Sequence, residues 1–194
     1  MAQVPTGSTF YIASAYGSAK TVTIVTNAAE AVVTAVAHGF SNGDVVEMTS
    51  GWGRLNKRHF EIKSVLTDSF VLSGEDTTNT TFYPVGTGIG SVRKATTFTQ
   101  ITSVMNPQSS GGDPKTVTYK FVESDVEYSI NDGFGATSYT MELDADALGS
   151  AGYTALKSLT QVQTDTCLKV VTRSGSRVYQ PCTVALNESI RMQD

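Results

Sequence analysis

The side chains able to do chemistry are few and scattered. Two histidines occur, His38 in Ala37-His38-Gly39-Phe40 and His59 after Lys57-Arg58. A catalytic base or metal ligand needs a convergent partner such as a positioned carboxylate or thiol. Asp44 and Glu61 are neighbours of the histidines in sequence only, so each reads as a turn histidine that hydrogen-bonds locally. Cys167 and Cys182 lack CxxC spacing, and two thiols alone do not make a zinc site. Asp144 and Asp146 are a carboxylate pair of the kind used for acid–base work or Ca²⁺. Their place just before a helical pattern favours capping and dipole stabilisation instead. Gly86-Thr87-Gly88-Ile89-Gly90 lacks the Gly-Lys-Ser/Thr ending of a phosphate loop, and no Gly-x-Ser-x-Gly elbow occurs. Trp52 in Gly51-Trp52-Gly53 reads most simply as a core or loop aromatic. The expectation is a chain with no catalytic, cofactor or metal site.

Composition points the same way. At 194 residues the chain is one large β domain or two small ones. Charged residues are only 16%, against roughly 25% in an average domain. Such a surface suits a protein covered by copies of itself, and equally an extracellular β domain coated in Ser and Thr. The net charge is −4, and no Lys/Arg run exceeds the pairs Lys57-Arg58 and Arg93-Lys94. Tight DNA binding, which uses a basic patch, is therefore not expected, although a mildly acidic channel would still let DNA slide. The N-terminus has neither the basic nor the apolar region of a signal peptide. No stretch approaches the roughly 18 apolar residues of a membrane span, so synthesis in a cytosol without membrane insertion is expected.

The elements that must position these residues are strands. Ser8–Ala13 predicts a strand between turn segments, with residues 1–7 as a poorly ordered arm. From about Lys20 to Val92 short alternating runs predict a small β sandwich or barrel: 21–25, 30–36, 45–48, 60–65 and 70–72. His38–Asp44 punctuates them, and 74–90 forms a return loop. Longer strands follow at 96–102 and 116–121. Between them Asn106–Pro114 reads as a long polar Gly-rich loop, the kind that is functional or mobile. Glu123-Ser124-Asp125-Val126-Glu127 reads as an alternating acidic strand edge. One helix is predicted from about Ala147 to Gln161, capped by Asp144 or Asp146. Leu148, Ala151 or Gly152, Ala155 or Leu156, Leu159 and Val162 form its apolar stripe. A hairpin closes the chain, 166–172 against 177–186. A two-residue turn at Ser174-Gly175 would set Cys167 opposite Cys182, where a disulfide is geometrically conceivable; in a cytosol free, packed thiols are expected.

This order of arm and strand, strands around a Gly/Ser loop, one helix and a closing hairpin resembles the tail tube (major tail) proteins of long-tailed, non-contractile phages. The run around His38-Gly39-Phe40 is similar to small β modules carried by phage tail and capsid proteins. The resemblance implies a mainly β fold: a tail-tube-type β-sandwich, or barrel-forming sheet, with one packed helix from residues 1–20 and 93–194. An all-β module at 21–92 would project from it. It implies a structural virion protein of the tail, assembled in the host cytoplasm into stacked hexameric rings that conduct DNA without binding it specifically. Its partners would be further copies of itself and the tape measure, tail tip and terminator proteins. Tube strands would be 96–105, 116–129, 166–173 and 177–186. The contact loop between rings would comprise Pro107, Gln108, Ser109, Ser110, Gly111, Gly112, Asp113 and Pro114, together with the N-terminal arm. Glu123, Asp125 and Glu127 would either face the lumen and repel DNA phosphates or form a solvated face. The alternative is a capsid decoration or host-adhesion protein with Ig-like modules, binding carbohydrate through Trp52. A polysaccharide-degrading enzyme would need clustered carboxylates, which the sequence lacks.

Overall fold

A computed structural model describes residues 6–189. The chain divides into two compact units, Met1–Thr102 with Ala147–Asp194, and Ser103–Asp146. The fold is mainly β, with antiparallel pairing throughout and one α-helix. Of the predicted arm, residues 1–5 lie outside the described residues, and Thr6-Gly7 form a turn.

The first unit is organised around the strand β8 (Gly90–Ile101). Its N-terminal part pairs with β2 (Lys20–Val22) on one side and β5 (Val45–Ser50) on the other. From β5 the pairing continues through β6 (Arg58–Lys63), β7 (Ser69–Leu72) and β4 (Val32–Thr34) to β3 (Ile24–Val25). Only Thr23 separates β3 from β2, so the circuit returns to β8 and closes. Closure leaves this set of strands little free edge, the feature by which sheets recruit other chains: only the short β2 and β3 have a single partner strand each. Its interior holds Val33, Val46, Met48, Trp52, Phe70 and Leu72, each at most 1% exposed. The expectation of a sandwich or barrel over these residues resolves as a barrel.

Beyond the barrel, β8 pairs with β1 (Thr9–Tyr16), β1 with β13 (Thr166–Val171), and β13 with β14 (Arg177–Cys182). The helix α1 (Ala151–Val162) packs on β1 and β8. Its cap is Ser150, whose Oγ accepts from the Tyr153 N–H. Asp144 and Asp146 are not its caps: Ala145–Ala147 is a separate 3-10 turn ended by Gly149, and Asp144 accepts from the Asp146 N–H instead. The buried stripe is Gly152 and Leu156, while Leu148 and Val162 stay exposed. Gly152 has a specific reason to be glycine: a Cβ there would stand 2.4 Å from the Gln100 carbonyl oxygen of β8.

The closing hairpin differs from expectation by one residue. Its turn has three residues, Arg173-Ser174-Gly175, with the Thr172 N–H donating to Ser176 O. Cys167 therefore faces Pro181, and Cys182 faces Thr166. Alternation puts the two thiols on opposite faces of the sheet, and both are free. Burial pushes the Cys167 thiol up to about 12, well out of the nucleophilic range.

Candidate assembly interface

The unit Ser103–Asp146 is one long β-hairpin in two rungs. The strand β9 (Val104–Gly111) pairs with β12 (Thr137–Leu143), and β10 (Pro114–Tyr119) with β11 (Tyr128–Phe134). The residues expected to form a polar loop, Pro107 to Pro114, are thus strand ends around a kink. Gly111 and Gly112 both have positive φ there, a conformation cheap only for glycine. Neither proline removes a ladder bond. Pro107 lies in the irregularity between Gln108 and Met105, and Pro114 is the first residue of its strand, the two tolerated positions. The run Glu123, Asp125 and Glu127 is not a strand edge but part of the connection at the hairpin tip. The Ser124 N–H donates to Phe121 O, and the Ser124 hydroxyl accepts from the Val126 N–H, a local bonding pattern that competes with sheet pairing.

Side chains sort largely by face, with Lys115 on the Val117 side and Met105, Phe134 and Glu142 on the other. In the outer rung, Val117 lies opposite Ile130 and Tyr119 opposite Tyr128. The Phe121 ring meets both tyrosines, at 5.3 and 5.9 Å between centroids. The other face carries Thr116 opposite Asn131 and Thr118 opposite Ser129. The inner rung repeats the division. Leu143, Met141 and Tyr139 share one face, while the other holds Gln108 opposite Thr140 and Ser110 opposite Ser138, with hydroxyl oxygens 2.7 Å apart. No residue of this unit is buried. Val117, Phe121, Ile130 and Phe134 are each more than half exposed. A two-stranded hairpin alone is marginal in water, and an apolar face of this extent marks an interaction surface.

The profile of the phage tail tube protein (TTP) family matches residues 50–194. The chain belongs to that family. No curated protein matches it. As a tail tube protein it is a structural component of the virion tail that assembles with itself and with other tail proteins. The matched span takes in the whole hairpin, the helix and the closing strands.

The two histidines and Trp52 of this tail tube protein are built into its core. His38 is buried, its Nδ1 accepting from the Phe40 N–H at 3.0 Å and its ring packed on Phe40 and Phe70, the local bonding expected of it. His59 is not in a turn but in β6, buried, with Nε2 2.9 Å from the Tyr16 hydroxyl and Nδ1 unpartnered. Burial, with the Arg93 guanidinium nearby, lowers its pKa to about 4. Glu47, also buried, receives Arg93 at 2.6 Å. These four residues join β1, β5, β6 and β8. Trp52 is 1% exposed and its indole N–H is shared between Pro84 O and the Thr87 hydroxyl, so it presents no ring to a carbohydrate. No cluster of three potential metal ligands occurs among the described residues, and no helix there is long and apolar enough to cross a membrane.

Proposed function

We propose that this protein assembles into hexameric rings that stack into the tail tube, the conduit through which DNA passes to the host. The observation that carries this reading is the hairpin of residues 103–146, two-faced and without a buried residue. Hairpins from successive subunits, paired side by side, would close into one barrel and leave no edge exposed. Such head-to-tail contacts form rings when the rotation closes. The hexameric number comes from the family resemblance.

In this arrangement the apolar face, with Val117, Tyr119, Ile130 and Met141, packs away from the bore. The face with Gln108, Ser110, Thr116, Thr118, Ser129 and Asn131 lines it. Apart from Glu142, which alternates onto this face beside Thr140, the wall is uncharged hydroxyl and amide and offers phosphates no cation to hold them, so DNA slides. The kinked segment Pro107 to Pro114 and the N-terminal arm meet neighbouring subunits. The closed barrel of residues 21–92 has its own core and little free edge, which suits outward projection. Assembly occurs in the host cytoplasm, alongside the tape measure, tail tip and terminator proteins, and no catalysis is involved.

Negative-stain electron microscopy with light scattering, over a concentration series of the full-length protein, tests this. Hollow tubes of stacked rings with a bore wide enough for duplex DNA are expected. A monomer or trimer that persists at every concentration, even on added tail tips, would overturn the reading in favour of a capsid decoration protein.

A further inference from the structure

The hairpin tip and one face of the first unit carry charge of opposite sign. At the tip, Val122 is fully exposed, and Phe121 and Val126 are more than half exposed. Glu123, Asp125 and Glu127 interleave with them, and none has an ion pair among the described residues. On the first unit, Lys169 of β13 lies on the sheet face opposite α1. Its Nζ sits over two rings, 4.9 Å from the Tyr11 centroid and 5.0 Å from that of Phe98. Arg173 is exposed in the turn that ends β13. Among the described residues neither cation has a carboxylate partner, whereas the cations of β6 and β8 do: Arg58 with Glu75, Lys63 with Glu30, Arg93 with Glu47 and Lys94 with Asp44.

We propose that the face formed by Lys169, Arg173, Tyr11 and Phe98 is the seat for the hairpin tip of a second copy of this chain. This rests on the tube reading and adds to it the surface that receives each subunit's tip. The physical division of labour is ordinary for an interface. Phe121, Val122 and Val126 leave water against the Tyr11 and Phe98 rings, which supplies affinity. The charges, each weak at an exposed site, fix register and reject misaligned copies. Like-sign charge on the two surfaces would then block stacking more strongly than deletion of either charge.

The test is charge reversal in the full-length protein. K169E/R173E is expected to raise the concentration at which tubes form at least tenfold, with unchanged circular dichroism. Adding E123K/D125K/E127K to it is expected to restore assembly, while the triple variant alone assembles poorly. A second measurement does not depend on charge: D125C/K169C, oxidised after assembly, should give a ladder of covalent oligomers in tubes and none in dilute monomer. Wild-type tubes combined with normal assembly of K169E/R173E, with failed rescue, or with an absent ladder would overturn the seat while leaving the tube intact. Wild-type protein that forms no tubes would instead overturn the tube reading on which the seat stands.

Discussion

The barrel of residues 20–92 and the hairpin of residues 103–146 are built from the same residue classes, yet they solve the problem of strand edges in opposite ways. The barrel closes on itself through β8, and its apolar side chains disappear into one core. The hairpin keeps two edges and one apolar face in solvent, with no buried residue. Cohesion in the barrel is intramolecular. In the hairpin, on the function proposed above, it is deferred to other copies of the chain. The difference teaches where to look for function: in the region whose apolar side chains its own unit leaves exposed.

The comparison is sharpest for truncation of apolar side chains. Phe70 is fully buried between His38 and Phe40. Phe70→Ala should cost about 3–5 kcal/mol of subunit stability, because the cavity adds to the lost transfer energy. Chemical denaturation of monomer below the assembly threshold measures it. A loss under about 1 kcal/mol would show that the barrel core is not what holds the first unit.

The buried network joining the barrel to β1 gives the next effect. His59 takes its proton near pH 4 in the folded chain and near 6.5 unfolded. Above pH 6.5 the imidazole is neutral in both states, and its contribution is fully present. Between 6.5 and 4 the unfolded chain gains a proton that the folded one refuses, so stability falls as pH falls and levels off below 4. The fall attributable to His59 should be roughly 3–3.5 kcal/mol, and H59Q should flatten the curve in that window. An identical slope in H59Q would assign acid sensitivity to other groups.

Smaller still is Gly152→Ala. Alanine favours the helix by about 1 kcal/mol, but its Cβ would meet the Gln100 carbonyl at 2.4 Å. The helix must shift off β8, and overpacking of this kind costs roughly 1–3 kcal/mol. A lower melting temperature is expected; a higher one would mean that the helix rides loosely on the sheet.

Much of the first unit was legible in the sequence because its strands bury alternate residues. Phe60 and Ile62, or Phe70 and Leu72, reveal their period directly. The helix was legible too, but not its cap, since two aspartates in the right neighbourhood outweighed Ser150. The closing hairpin was found with its register displaced by one, because Ser174-Gly175 looks like a complete turn when Arg173 is the third member. The 103–146 hairpin is the least legible region. Gly, Ser and Pro in 106–114 argue for a loop, and only the partner strand 137–143, distant in sequence, makes β9 a strand. That strand carried a signal: Tyr139, Met141 and Leu143 alternate, as do Tyr128 and Ile130 before them. Their period was hidden because no turn chemistry brackets it cleanly and because both faces stay in water, where composition says little about pairing.

The hairpin should show the smallest effect on stability and the largest on assembly. Ile130 is more than half exposed and faces Val117 across the outer rung. Ile130→Ser removes little buried area, so subunit stability should change by less than about 0.5 kcal/mol. In a ring the same position would be covered, and burying such a side chain is worth roughly 1.5–3 kcal/mol. Every subunit of a ring carries the substitution, so each subunit contact weakens by that amount. The threshold concentration for tubes should rise by tenfold or more while the melting temperature of the monomer holds. A melting temperature that falls with the threshold would place Ile130 in an intramolecular core, and the contrast between barrel and hairpin would collapse. A threshold that does not move would put the apolar face in solvent within the tube, reversing which face of the hairpin lines the bore.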